Sequence, residues 1–153
     1  MWLFTTFEED KGSSSDDYYL LLQERIKNRL LLQPKISNGR IEYIRPSTKY
    51  PGLTEYWSTA FPKELKKNHT WTVYYLANDK GFVSTENNPL VIRCNFFGVA
   101  PDSLKDLSRR PCNMQWNIDD SMSIEVRFSA VVLDDWKTMY HGLKTFVNAI
   151  RME

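Results

Sequence analysis

Long apolar runs are missing from this 153-residue chain. None approaches the ~18 to 20 residues that a membrane-spanning helix needs, so no transmembrane helix is expected. The opening MWLFTTFEEDKG turns acidic early and has no basic leader region, which argues against a secretory signal. Cysteine is scarce as well. Cys94 and Cys112 are too few for a disulfide framework in a chain of this size. Together these absences predict a reducing, cytoplasmic setting, in which the acceptor-like triplet Asn68-His69-Thr70 counts as chance.

Glycine and histidine are also thin. The six glycines are isolated, and neither GxGxxG nor GxxxxGK[ST] occurs, so no phosphate-cradling loop is expected. The two histidines and two cysteines lie at 69, 94, 112 and 141, without the close-spaced pairs of a zinc site. No metal or cofactor is therefore expected. An excess of one charge is lacking too: the net charge is +1, which gives no bulk attraction to nucleic acid or anionic lipid. The distribution is less even, with a local net of −4 over residues 1–17 and +4 over residues 35–67.

Aromatic residues are what the chain has in plenty, at 14% with five Trp and eight Tyr. Such rings fill cores and also anchor interfaces, so their abundance mildly favours recognition. The length suits one domain, 1–153, with a proper core.

Residues MWLFTTFEE are β-prone and predict a first strand. Ser14 and Asp17 form a loose capping box for a helix from about Asp16 to Leu32, with Tyr18, Leu21, Leu22, Ile26 and Leu30 on one face. Asn38-Gly39 predicts a tight hairpin. Residues 46–69 are the least regular segment, broken by prolines, with LTEYWSTAF a candidate short helix. Beyond them the pattern becomes one of strands. Trp71, Val73 and Tyr75 alternate, as do Leu90, Ile92, Cys94 and Phe96, then Met114, Trp116 and Ile118. The clearest is MSIEVRFSAVVL, with Met122, Ile124, Val126, Phe128, Ala130 and Val132 on one side and polar residues on the other. Such alternation means one covered face and one wet face.

The run DDWKTMYHGLKTFVNAI, residues 134–150, carries the strongest helical period. Trp136, Met139, Tyr140, Leu143, Phe146, Val147 and Ile150 form its apolar stripe, while Lys137, His141, Lys144 and Asn148 face water. Asp134 is the expected N-cap, with Asp135 in the first turn. The expected fold is therefore α+β: an antiparallel β-sheet of about five to seven strands, one face covered by an N-terminal and a C-terminal amphipathic helix.

Gly142 interrupts that last helix at a cost of about 1 kcal/mol relative to alanine. It falls in line with Thr138, Thr145 and Ala149, a narrow track along one flank of the stripe. Small side chains let another backbone approach. Either a neighbouring element of the same domain crosses there, or a second molecule does.

Chemistry is sparsely signalled. Cys112, beside Arg109 and Arg110, is the one nucleophile with an argument behind it, and His69 or His141 would have to serve as its base. Cys94 reads as a buried, inert thiol. The acidic pairs Glu8-Glu9, Asp16-Asp17, Asp119-Asp120 and Asp134-Asp135 mostly coincide with helix starts or turns, where Asp bonds backbone N–H groups. Three function classes remain, in order. First is a non-catalytic protein-binding or assembly module with a protein partner, itself included. It would use aromatic anchors Tyr50, Tyr56 and Trp57 and an interface at Thr138, Gly142, Thr145 and Ala149. Second is an RNA or DNA binder using the basic, aromatic surface around residues 35–75, with Arg40, Arg45, Lys49, Lys63, Lys66 and Lys67 meeting phosphates. Third is a cysteine-dependent enzyme centred on Cys112.

Overall fold

A computed structural model describes residues 4–8, 19–20, 22–24, 35–37, 40–60, 69–83, 88–98, 110–117 and 123–151. Among the described residues eight strands form one sheet: β1 (Phe4–Glu8), β2 (Lys35–Ser37), β3 (Arg40–Pro46), β4 (Leu53–Ala60), β5 (His69–Ala77), β6 (Val91–Gly98), β7 (Pro111–Asn117) and β8 (Ser123–Ser129). Their order is β1-β8-β7-β6-β5-β4-β3-β2, with every neighbour antiparallel. From β2 to β8 the chain simply folds back and forth. β1 then lies beside β8, with Phe4 opposite Arg127 and Glu8 opposite Ser123. The expected α+β architecture with an antiparallel sheet is present, though the sheet has one strand more than the expected upper figure.

Ser37 pairs with Arg40 where β2 folds back onto β3, while Asn38 and Gly39, the expected hairpin turn, lie outside the described residues. The LTEYWSTA run corrects the sequence reading. It is not a helix but strand β4, bonded to β3 on one side and β5 on the other. Both of its faces are buried: Leu53, Glu55, Trp57 and Thr59 on one, Thr54, Tyr56 and Ser58 on the other. Burial on both faces erases the polar–apolar alternation that would have marked a strand.

One face of the sheet carries the main core. Ile41, Tyr43, Trp57, Trp71, Val73, Tyr75, Ile92, Phe96, Met114, Ile124, Val126 and Phe128 pack there beneath Trp136, Tyr140, Leu143 and Val147 of the C-terminal helix, Trp136–Arg151. Each large side chain so buried contributes about 2 kcal/mol. Leu22 lies with Ile44, Tyr56, Leu76 and Val91, residues that alternate with those of the main core and so belong to the opposite face. The described helical residues Tyr19, Leu20 and Leu22–Glu24 thus approach the sheet from the other side, not the same side as expected. The remainder of the predicted Asp16–Leu32 helix lies outside the described residues.

After β8 the chain enters a 3-10 helix, Ala130–Asp135, before the α-helix begins. Ser129 is its N-cap, its hydroxyl accepting from the Val131 N–H. Asp134 and Asp135 end this 3-10 segment and do not cap the α-helix as expected. The three-residue turn brings Ala130 and Leu133 to one side, and both are fully buried.

The helix start rests on the loop after β3. Gly52 has φ +89°, and a Cβ added there would meet Trp136 Cζ2 at 3.3 Å. Trp136 Nε1 donates to the Pro51 carbonyl at 3.4 Å. Phe82 packs 4.7 Å from Trp136 and 4.9 Å from Tyr140. The Tyr140 hydroxyl donates to the Val83 carbonyl at 2.9 Å and accepts from the Val83 N–H at 3.2 Å.

Candidate functional site

The outer face of the C-terminal helix is the surface the sequence singled out, and it is open. Thr138, Gly142, Thr145 and Ala149 are all exposed. A Cβ built on Gly142 meets nothing within 4 Å, so no element of the described molecule crosses there. Thr145 Oγ1 donates to the His141 carbonyl at 3.0 Å, folding its polar atom back onto the helix. Beside the track stands Phe146, 45% exposed, although its spacing had placed it in the core stripe. The stripe that packs most fully, Trp136, Tyr140, Leu143 and Val147, is narrower than the stripe that is apolar. His141, Lys137, Lys144 and Asn148 are exposed around this patch.

The aromatic middle stretch does not form a surface. Tyr50, Tyr56 and Trp57 are buried, so none is presented as an interface anchor or a stacking platform. Trp57 stacks on Phe96 at 5.7 Å and on Tyr43 at 6.0 Å. The Tyr56 hydroxyl donates to Glu42 Oε1 at 2.5 Å. The pairing of β4 puts Trp57 into the main core and Tyr56 into the opposite layer, while Tyr50 packs into the main core from the loop before β4. Of the basic residues in this region, Lys49 is exposed and sits 5.4 Å from the Tyr50 ring centre. Arg45 is engaged by a carboxylate. Arg40 begins β3, and Lys63, Lys66 and Lys67 lie outside the described residues.

That carboxylate belongs to Glu55, which the sequence reading passed over. Its side chain faces the main core beside Trp57 and accepts from Arg45 Nε at 2.8 Å, Ser47 Oγ at 2.9 Å and Trp57 Nε1 at 3.0 Å. The guanidinium lies 5.8 Å from the Tyr43 ring and 5.9 Å from the Trp57 ring. Tyr50 and Tyr75 meet edge to face at 5.4 Å nearby. Burial, reinforced by the negative charges of Asp134 and Glu55, pushes the Tyr50 hydroxyl up to about 12. Burial and Glu55 push Tyr75 higher still. Both hydroxyls are therefore held protonated further into the alkaline range than an ordinary tyrosine. The available clue was position: Glu55 falls two residues from Leu53 and two from Trp57, on the face they bury.

Cys94 and Cys112 are joined by a disulfide. Both are buried, and they are direct register partners on β6 and β7. Cys112 thus has no thiol to act as a nucleophile, and Cys94 is not the inert free thiol expected from its alternation. The two came together because antiparallel pairing set them opposite each other. Of the proposed bases, His141 is exposed beside Phe82 at 5.5 Å, and His69 begins β5. No group of three metal-ligating side chains occurs among the described residues, and no described helix is long and apolar enough to cross a membrane.

No family model, curated protein or solved structure matches this chain.

Proposed function

We propose that this chain is a non-catalytic assembly module that binds a second copy of itself through the outer face of its C-terminal helix. The observation that carries the reading is the open space at Gly142. An interior helical glycine costs about 1 kcal/mol relative to alanine, and nothing in the described monomer uses the room it creates. Close approach of another helix would offset that cost, since interaxial distances shorten when contact residues are small.

Phe146 supplies what a stripe of small residues lacks, an apolar knob one turn along from the gap. A two-fold pair presents the same patch from both protomers. Phe146 of one copy would then cover Gly142 of the other, with Thr138, Thr145 and Ala149 completing the contact. His141, Lys144 and Asn148 would form a polar rim. The buried middle tyrosines and tryptophan play no part in this binding surface.

Light scattering on the full chain tests the reading. The wild type should give a dimer mass, and Gly142→Leu should give a monomer with an unchanged circular dichroism spectrum. A wild-type monomer at high micromolar concentration would end the proposal. So would a dimer that survives both Gly142→Leu and Phe146→Glu.

A further inference from the structure

Backbone pairing across the sheet is uneven. β5 and β6 match eight residue pairs, and β7 and β8 match seven. Between β6 and β7 only two pairs are matched, Arg93 with Asn113 and Cys94 with Cys112. The two strands run side by side over a longer stretch than this, and it is the matched backbone register that is confined to these two pairs. One of the two matched pairs along this seam is the disulfide.

We infer that the Cys94–Cys112 bond, more than the backbone ladder, fastens the β1-β8-β7 part of the sheet to the β6–β2 part, and that it acts as a redox-sensitive latch. A ladder this short gives few hydrogen bonds to resist parting. The covalent bond closes the 18-residue separation between the two cysteines and so limits how far β7 can move from β6. Its place in the layer is central. Cys94 is opposite Val73 on its other side, and Cys112 is opposite Phe128. Parting the seam would uncover Ile92, Phe96, Met114 and Phe128, all buried on the helix-covered face.

The chemistry is exchange with a dithiol reductant. One reductant thiolate attacks Cys94 or Cys112 sulfur, breaking the S–S bond and forming a mixed disulfide. The second reductant thiol then displaces the protein sulfur and closes an oxidised cyclic disulfide. Two electrons and two protons pass to the protein, which ends with two thiols. Because both cysteines are buried, attack follows transient opening of the seam.

Hydrogen exchange by mass spectrometry on the full chain tests this, comparing the oxidised protein with the dithiothreitol-treated protein and with the Cys94→Ala/Cys112→Ala variant. Peptides spanning residues 91–98 and 111–117 should exchange on the order of 100-fold faster once the bond is gone. Peptides spanning residues 40–60 should be unchanged. An increase spread evenly over all strands, or none at the seam, overturns the inference. Complete unfolding of the reduced chain or of the variant also overturns it, because the bond would then be holding the whole domain. Folded protein purified without reductant should show no alkylatable thiol after denaturation, and two such thiols would overturn it as well.

Discussion

Arg45 and Glu55 face each other as register partners on β3 and β4, with Nε 2.8 Å from Oε2, on the face of the sheet that holds the main core. Their burial is unequal: 24% of the Arg45 side chain is exposed, against 5% of Glu55. That asymmetry fixes the order of two substitutions. Arg45→Ala leaves a deeply buried carboxylate without its counter-charge, with only Ser47 and Trp57 donating to it, and should cost about 3 kcal/mol. Glu55→Ala leaves a guanidinium that can turn to water and an indole N–H without its acceptor, and should cost about 2 kcal/mol. Urea denaturation of both single variants and the double variant checks this. A larger loss for Glu55→Ala, or strict additivity, would contradict it.

Gly142→Ala separates helix propensity from assembly. The added methyl meets nothing within 4 Å, so the monomer should gain up to about 1 kcal/mol. Dimer dissociation should become easier at the same time. Thermal unfolding at low concentration reads the first effect, and sedimentation equilibrium the second.

Tyr50 sets an alkaline limit on stability. Its folded-state pKa is raised to about 12 from an ordinary value of 10.0 by burial, then by Asp134 and Glu55. Below pH 10 the hydroxyl is protonated in both folded and unfolded chains, and stability is complete. Between about pH 10 and 12 the unfolded chain ionises first, so stability falls as pH rises. Tyr75 acts in the same direction. Absorbance at the tyrosinate band should show delayed ionisation of these residues, and Tyr50→Phe should flatten the alkaline loss of stability.

Gly52→Ala should destabilise through two effects at once. Its φ of +89° disfavours any side chain, and the new Cβ would press on Trp136 Cζ2 at 3.3 Å. About 1 to 2 kcal/mol is expected. Denaturant titration with Trp fluorescence reports both the loss and the disturbed indole.

Much of this architecture was legible because one-sided burial leaves a periodic trace. Ile124, Val126 and Phe128 alternate with half-buried or exposed Glu125 and Arg127, and they form β8 as expected. Trp136, Tyr140, Leu143 and Val147 keep helical spacing and lie against the core. β4 left no such trace, because Leu22 and its neighbours cover the face that water would otherwise wet. Glu55 then inserted a charge where an apolar residue would have signalled the strand. The helix track was visible as Thr138, Gly142, Thr145 and Ala149, but whether a neighbour fills it depends on how distant segments pack, which helical spacing does not encode. The Cys94–Cys112 bond was hidden for another reason: it depends on which residues face each other across β6 and β7, and spacing along the chain does not encode that.

The pairing of β1 with β8 has a consequence for biosynthesis. β1 is translated before β8 and finds its mate only once β8 has been made, about 10 s later at ordinary elongation rates. Throughout that wait its backbone amides and carbonyls stay without their eventual partners, while β2 to β7 can already zip together in order of emergence. A nascent chain stalled before residue 123 would therefore carry an unmated β1, a segment that a chaperone has reason to hold.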